Sequence, residues 1–280
     1  MSFTLSIVIP AHNEEKRLPR TLDHILAWRK GKEFSTEIIV VNDGSTDDTE
    51  MVVKHYAKIH PSVILIDHLM NVGKGSGIRD GVLRAKGDII IFTDADDSTP
   101  IEEADKLLRG IRGGADIVIG SRWVDRKLQT QPQPWYRRLN GRAYNLLLRN
   151  ILGLDLTDTQ NGFKAFTRKA GKAVFTVQKI RGWGFDAESL FFAKKLGFKV
   201  VEVPVEYKYY SEGSKIRPYR DGARMLFELL MVRWYFIIGA YSQVLALANA
   251  KAVSFSARPI AEQLDLEKHD KGSLSTQRTA

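Results

Sequence analysis

Short apolar runs alternate with helical patterns through the first 120 residues, and this alternation restricts the fold more than any other feature. Each run is rich in β-branched residues and apolar throughout, as in strands buried on both faces. The predicted strands are Leu5–Pro10, Glu37–Val41, Val63–Asp67, Asp88–Thr93 and Asp116–Gly120. The predicted helices between them are Leu18–Arg29, Thr46–Ile59, Gly75–Ala85 and Glu102–Gly113. This order predicts an α/β fold whose mixed, mostly parallel sheet is flanked by helices.

The remaining chain is less regular. A loop over Lys127–Pro134 leads into a predicted basic amphipathic helix over Tyr136–Leu152. A small α+β region follows, with a segment Gly162–Thr167, a helix Asp186–Leu196 and a strand Lys199–Tyr207.

The segment 226–250 is strongly apolar, and its part Trp234–Ala250 has 17 residues without a charge. That length is at the low edge of a membrane span. We expect an amphipathic helix that lies at a membrane interface, with packing on the core and a true span as the alternatives. Residues 251–280 are polar and are predicted to form a mobile tail.

The chain carries 42 Lys and Arg against 33 Asp and Glu, a net charge of +9, which favours an anionic partner. It has no cysteine, so thiolate metal sites and cysteine nucleophiles are excluded. The run Leu5–Pro10 is too short for a signal peptide and no basic residue precedes it, so we expect no export.

Polar clusters follow four of the predicted strands. They are Ala11-His12-Asn13-Glu14, Asn42-Asp43-Gly44-Ser45, Asp94-Ala95-Asp96-Asp97 and Ser121-Arg122. Ligands of open α/β sheets bind outside the carboxyl ends of the strands. The sequence therefore predicts a binding site at this edge of the sheet.

Asp94 and Asp96 are the sharpest signal, because two carboxylates two residues apart on a turning backbone can face one hard cation. Mg²⁺ and Mn²⁺ prefer oxygen ligands and are often shared with substrate phosphates. The alternative is a solvated turn in which Asp97 or Ser98 caps the next helix.

Two further segments have both a binding and a structural interpretation. Asp43 can accept hydrogen bonds from a nucleotide base or ribose, while Gly44 and Ser45 also suit a turn and a helix cap. The Gly73-Lys74-Gly75 turn can present backbone N–H groups and an ammonium group to phosphate, although it is no Walker A sequence.

The ordered motifs IVIPAHNEE, VVNDGSTDDT, NVGKGSGIRDG, FTDADDSTP and IGSRW together resemble glycosyltransferase family 2, which has the GT-A fold. The blocks TQNGFK and GWGFDAE resemble the dolichyl-phosphate β-glucosyltransferases and related polyprenyl-phosphate hexosyltransferases within it. The resemblance covers residues 3–225. It implies a catalytic domain over 1–225, followed by the apolar helix 226–250 and the tail 251–280.

The resemblance also implies roles for individual residues. Those expected to bind the nucleotide sugar are Pro10, His12, Asn13, Glu14, Asp43, Lys74, Asp94, Ala95 and Asp96. Asp94 and Asp96 are the expected ligands of Mg²⁺ or Mn²⁺, and they and Arg122 are the expected catalytic residues. The sequence departs from the family pattern at two positions: Asn42 replaces a usual acid, and Ser98 stands where mannosyl relatives commonly carry Gln. Ser98 weakens a third metal ligand and makes mannose a less favoured sugar. From the TQNGFK and GWGFD blocks, UDP-glucose is the first choice of donor, and GDP-mannose the second.

The expected acceptor, a dolichyl or undecaprenyl monophosphate, needs no general base because its oxygens are already anionic. Cations should hold it for a single inverting displacement, and the candidates are Arg122, Arg138, Lys215 and Arg217. The candidates for orienting the donor sugar are Gln160, Asp186 and Glu188, of which the two acids could instead only charge a helix N-terminus.

Three other functions remain open from the residues alone: transfer to a glycan acceptor, nucleotidyl transfer, and binding of nucleic acid by a basic module. The acidic strand ends and the missing recognition motifs argue against nucleic acid. The expected location is the cytoplasmic face of a membrane, as a peripheral protein.

Overall fold

The computed structural model describes residues 3–131, 135–209, 218–242 and 246. Its strands are β1 (Thr4–Ala11), β2 (Ser35–Asp43), β3 (Val63–His68), β4 (Ile89–Phe92), β5 (Ile117–Ser121), β6 (Gln129–Gln131), β7 (Lys164–Thr167), β8 (Val200–Pro204) and β9 (Tyr207–Lys208). Its helices are α1 (Leu18–Trp28), α2 (Thr49–Ile59), α3 (Lys74–Arg84), α4 (Ala104–Arg112), α5 (Trp135–Leu152), α6 (Arg168–Val177), α7 (Phe185–Lys195) and α8 (Pro218–Ile237).

Seven strands form one sheet in the order β3-β2-β1-β4-β7-β5-β8. β7 runs antiparallel to both of its neighbours, β4 and β5, and the other pairs are parallel. The predicted mixed, mostly parallel α/β fold is thus confirmed. The five strands and four helices predicted in the first 120 residues are all present, with ends shifted by a few residues.

The middle of the chain differs from the sequence prediction. The expected loop 127–134 contains β6, which pairs with β9, and the expected strand 199–207 is divided between β8 and β9. Helix α6 was not predicted; it begins after Thr167, whose side-chain oxygen accepts a hydrogen bond from the Ala170 N–H at 3.2 Å.

Two hydrophobic cores lie on opposite faces of the sheet. In β1, Val8 packs into the core with α3, α6 and α7, whereas Ile7 and Ile9 pack into the core with α1 and α4. Successive side chains of a strand point to opposite faces, so a strand covered on both sides is apolar throughout. This is the physical reason for the continuous apolar run at the start of the sequence.

Helix α8 begins and ends earlier than the helix expected over 226–250. It ends at Ile237, and Gly239, with a φ of 71°, lies in the turn that follows. Tyr241 then packs into the core with 1% exposure. Within the described part of the chain, no helix combines the length and apolar character that crossing a bilayer requires.

Candidate active site

The loops after β1, β2 and β4 meet the start of α3 at the carboxyl edge of the sheet. Lys74 Nζ lies 2.5 Å from Asp94 Oδ1, and Arg17 Nη1 lies 3.8 Å from Asp96 Oδ2. His12 Nδ1 lies 2.9 Å from the Asp43 carbonyl oxygen. The fold therefore brings the strand-end residues of the sequence analysis to one place.

Asp94 is the carboxylate on which three positively charged side chains of this site act. Burial would raise the pKa of its carboxyl, but the positive charges of Lys74, Lys164 and Arg122 outweigh burial and hold that pKa below its ordinary value. Asp94 is therefore a carboxylate near neutral pH.

Asp96 lies beside Asp94 and accepts a hydrogen bond from the Ser98 N–H at 3.1 Å. Burial, followed by the charge of Asp94, raises the pKa of its carboxyl. The two side chains are 37% and 29% exposed, so both reach solvent. The Ser98 N–H thus closes a turn around Asp96 while both carboxylates remain accessible, and the next helical turn begins after Pro100 without a side-chain cap from Asp97 or Ser98.

The described residues contain no group of three or more His, Asp or Glu side chains that could hold a metal. Two accessible carboxylates nevertheless fit the chemistry of Mg²⁺ or Mn²⁺, which use one or two protein carboxylates and complete their shells with phosphate and water. Asp94 and Asp96 are the residues here that would hold such an ion.

The loop after β1 is tied to the loop after β2. Asn13 has a φ of 54°, donates its N–H to Ser45 Oγ at 2.9 Å, and accepts from the Thr46 N–H at 2.7 Å. Glu14 accepts two hydrogen bonds from the Arg17 guanidinium, at 2.6 and 2.7 Å. Arg17, which the sequence analysis missed, thereby stands between Glu14 and Asp96. Pro10 is the penultimate residue of β1 and precedes this loop.

Asp43 is 3% exposed and supports the turn that begins α3. Its carboxylate accepts hydrogen bonds from the Val72 and Gly73 N–H groups at 2.9 and 2.8 Å, and Oδ1 lies 3.0 Å from His68 Nδ1. The structure thus gives Asp43 a structural task besides the predicted contact with base or ribose.

A buried ion pair lies behind the site. Lys164 is fully buried; its ammonium group contacts Asp186 Oδ1 and the Asn161 carbonyl oxygen, each at 2.5 Å. Burial raises the pKa of Asp186 despite the nearby positive charges of Lys164 and Lys74. Lys164 was not assigned a role from the sequence, although it belongs to the TQNGFK block.

Arg122 is held in place by Asp158, a residue to which the sequence motifs assigned no role. Its Nε and Nη2 donate to the two oxygens of Asp158 at 2.8 and 2.7 Å, and its backbone N–H donates to the same carboxylate at 2.9 Å. Asp158 is 1% exposed. Burial would lower the pKa of Arg122, but Asp158 raises it above its ordinary value, so the guanidinium stays charged.

Glu188, the second acid expected to orient the donor sugar, makes its hydrogen bonds inside the protein. Its side chain is fully buried, and its oxygens accept hydrogen bonds from Lys179 N–H, Ile180 N–H and Tyr241 O–H. It is therefore occupied inside the protein. Gln160, in contrast, lies in the loop before β7, with its Nε2 3.8 Å from Met225 Sδ. The side chain of Arg138, and Lys215 and Arg217 entirely, lie outside the described residues.

The sequence matches the family described as Glycosyl transferase family 2 over residues 6–175. A dolichyl-phosphate beta-glucosyltransferase of Trichomonas vaginalis is 37% identical over 250 residues, which cover 86% of this chain and 76% of the relative. The human dolichyl-phosphate beta-glucosyltransferase is 33% identical over 250 residues, covering 85% and 77%.

A solved structure of glucosyl-3-phosphoglycerate synthase from Mycobacterium tuberculosis, in complex with Mn²⁺, UDP-glucose and phosphoglyceric acid, has a TM-score of 0.60. It is 22% identical and covers 82% of this chain and 80% of that chain. This likeness concerns the fold and agrees with the expected GT-A architecture. The family match and the identities above 30% together show that this chain belongs to glycosyltransferase family 2 and is a glycosyltransferase.

Proposed function

We propose that this enzyme transfers glucose from UDP-glucose to a polyprenyl monophosphate of the dolichol type and inverts the anomeric configuration. The observation that carries the proposal is the carboxyl-edge cluster, in which two accessible carboxylates adjoin the Lys74 ammonium. Such a cluster suits a cation and a diphosphate. The names of the relatives that are 37% and 33% identical support a glucosyl donor and a dolichyl phosphate acceptor.

In this proposal Asp94 and Asp96 would hold a divalent cation, which would offset the charge of the diphosphate leaving group. Lys74 lies on Asp94 and, when the donor binds, donates hydrogen bonds to the diphosphate. Asp43, His12 and the surrounding backbone form the side of the site for the nucleoside. Asp186 orients the sugar hydroxyls. Its carboxylate accepts a hydrogen bond from the Lys164 ammonium group, and it lies close enough to Asp94 and Lys74 for their charges to act on it.

Arg122 holds the acceptor phosphate opposite the anomeric carbon. Asp158 clamps one edge of the guanidinium, which fixes its plane and direction. A phosphate oxygen is already a competent nucleophile, so the site supplies positive charge and alignment rather than a base.

A polyprenyl acceptor is a membrane lipid, so the enzyme must work at a membrane surface; we place it peripherally at the cytoplasmic face. Helix α8 supports docking, because six of the twelve exposed large apolar side chains in the described part of the chain fall on it or just after it. They are Leu226, Phe227, Leu230, Trp234, Ile237 and Ile238. We infer that α8 lies along the membrane interface. The proposed interfacial segment 226–250 shares residues 226–237 with α8 and follows the catalytic domain 1–225.

The direct test incubates the enzyme with radiolabelled UDP-glucose or GDP-mannose, a polyprenyl phosphate, and Mg²⁺ or Mn²⁺. We expect a β-linked lipid-phosphate glucose from UDP-glucose alone. Asp96→Asn should reduce formation of this product by about 10²-fold or more. Asp105→Asn, which removes a carboxylate of α4 that pairs with Lys32 at the surface, should leave product formation unchanged. Absence of a lipid-linked product with every donor would refute the proposal.

The role of Arg122 has its own test. Arg122→Gln should lower kcat much more than it lowers the affinity for UDP, because the arginine meets the acceptor rather than the donor. An equal loss of both would assign Arg122 to the donor site. Products on glycan acceptors, or salt-dependent binding of nucleic acid without binding of UDP, would instead support the alternatives that family membership does not favour.

A further inference from the structure

The loop 178–184, between α6 and α7, lies directly against the turn that carries Lys74. The Gly75 N–H donates to the Arg181 carbonyl oxygen at 2.8 Å, and Gln178 Nε2 donates to the Gly75 carbonyl oxygen at 2.8 Å. A side chain on Gly75 would bring its Cβ within 2.8 Å of the Ile180 carbonyl oxygen. The turn and the loop are therefore in direct backbone contact.

The same loop contacts the side chain of Lys74. Trp183 places its ring 4.9 Å from the ammonium group, which reaches Asp94 Oδ1 at 2.5 Å. A displacement of the loop would move both the turn beneath Lys74 and the ring beside it. The loop thus contacts both the backbone next to Lys74 and the side chain of Lys74.

Glu228 of α8 holds the loop from the other side. Its Oε2 accepts a hydrogen bond from the Gly184 N–H at 2.7 Å, and its Oε1 accepts one from Arg224 Nε at 3.0 Å. A Cβ at Gly182 would lie 2.2 Å from Glu228 Oε1, so the backbone closes tightly around this carboxylate. A carboxylate that accepts from a buried N–H contributes more than a neutral hydrogen bond.

A second link joins the same part of the chain to the loop. Tyr241, just after α8, donates its O–H to Glu188 at 2.6 Å, and Glu188 accepts from the Lys179 and Ile180 N–H groups, both at 2.8 Å. The loop is thus held at its start through Glu188 and at its end by Glu228. Both hydrogen-bonded contacts come from α8 or the turn after it, which is the part of the chain that also carries the exposed apolar side chains.

We propose that Glu228 of α8 is a positioning residue. It fixes the position of loop 178–184, and this loop in turn holds the Lys74 ammonium group against the Asp94 carboxylate. The link joins the apolar, exposed helix to the diphosphate side of the active site. It rests on the proposed function only for the task of Lys74 with the donor. The structural link can be tested without turnover.

The first test is hydrogen–deuterium exchange of the full chain. Glu228→Ala should speed exchange by about tenfold in peptides covering 182–186 and also in those covering 73–76, which Glu228 does not touch. Glu228→Gln keeps an acceptor for Gly184 and should stay close to the wild type, with Glu228→Asp between them. If the Ala variant does not fold, the comparison of Asp with Gln decides.

Glu37→Ala is the matched control. Glu37 also accepts from a backbone N–H, that of Lys86, and from the Ser6 hydroxyl, both at 2.5 Å, but it stands near the start of β2 at the opposite edge of the sheet. It should leave exchange in 73–76 unchanged. Faster exchange confined to 182–186 in Glu228→Ala would overturn the proposal.

The second test is a double-mutant cycle with Lys74→Met, read as UDP affinity in the presence of Mn²⁺ and as kcat and KM for the donor. Glu228→Ala should weaken donor binding about tenfold in the wild type and less than about twofold in the Lys74→Met background, since it acts through that lysine. Additive effects would assign Glu228 a general structural role. If the exchange result holds and no transfer occurs, the proposed function fails while the positioning link stands.

Discussion

Among the described residues, Lys164 carries a large desolvation cost, because its side chain is completely buried. Such a charge is tolerated only with a paired carboxylate and further hydrogen bonds, which Asp186 and the Asn161 carbonyl oxygen provide. The pair also brings Asp186 near Lys74 and Asp94, whose charges act on its pKa. A buried pair at this position fixes the direction of a carboxylate that we propose meets the sugar.

Asp186→Asn should lower the free energy of unfolding by about 3–5 kcal/mol, because it leaves the lysine charge uncompensated. The double variant Lys164→Met/Asp186→Asn should recover more than half of that loss. Urea unfolding measures both. Glu50→Gln, which breaks the exposed pair with Lys54, should cost less than about 1 kcal/mol. A loss for Asp186→Asn as small as this control would mean that the lysine finds another partner or loses its proton.

A second prediction concerns the pH dependence of stability at Asp94. The folded state holds the pKa of this carboxyl below its ordinary 3.8, so the contribution of its pair with Lys74 is present above that pH and disappears as the pH falls through the lowered pKa. The difference in unfolding free energy between wild type and Asp94→Asn should therefore be constant near neutral pH and change in acid below 3.8. Urea unfolding at a series of pH values measures this difference. A constant difference through the acid range would contradict the ion pair.

Among the elements, the turn after β2 depends strongly on a single residue. Gly44 has a φ of +61°, and a Cβ there would lie 2.3 Å from the backbone carbonyl carbon of Met70. Gly31 has a φ of +77°, but a Cβ there would meet no atom within 4 Å. The two glycines share the left-handed backbone and differ in the space beside it.

Gly31→Ala should therefore cost about 1–2 kcal/mol for the backbone conformation alone. Gly44→Ala should cost at least about 1 kcal/mol more, since it must also move the Met70 backbone. It should weaken UDP binding as well, because the turn carries Asp43 and so supports the start of α3. Urea unfolding and calorimetry measure the two effects, and equal losses for both variants would contradict the collision.

The elements also show how far the sequence alone could lead. The apolar runs predicted β1 to β5 because strands covered on both faces carry a local signal. β7 could not be placed, since its antiparallel insertion between β4 and β5 depends on contacts far apart in the chain. Asp158 and Lys164 were missed for the same reason, because their partners Arg122 and Asp186 lie 36 and 22 residues away. Arg17 bonds to the nearby Glu14, but its contact with Asp96 depends on the fold. The hydrogen bonds of Glu188 could not be predicted either, because α7 is buried on all sides from Phe185 to Ala193 and the partner Tyr241 lies 53 residues away.

At the scale of the whole molecule, the net charge of +9 does not reflect a uniform surface. Carboxylates gather at the sheet edge, where Lys74, Lys164 and Arg122 act on Asp94. Exposed apolar side chains gather along α8, which also carries the exposed Arg224 and Arg233. Apolar side chains bordered by cations suit a surface with anionic headgroups.

Leu230→Ser/Trp234→Ser should therefore weaken binding to mixed phosphatidylcholine and phosphatidylglycerol vesicles by about tenfold or more, since two large apolar groups no longer enter the interface. The side chains are 50% and 60% exposed, so folding should tolerate the change. Met51→Ser/Leu69→Ser removes apolar side chains that are 62% and 100% exposed elsewhere on the surface, and should bind as the wild type does. Vesicle co-sedimentation at rising salt measures both, and binding by the wild type should weaken with salt because Arg224 and Arg233 meet the headgroups. Equal binding by the two double variants would remove α8 from the membrane surface.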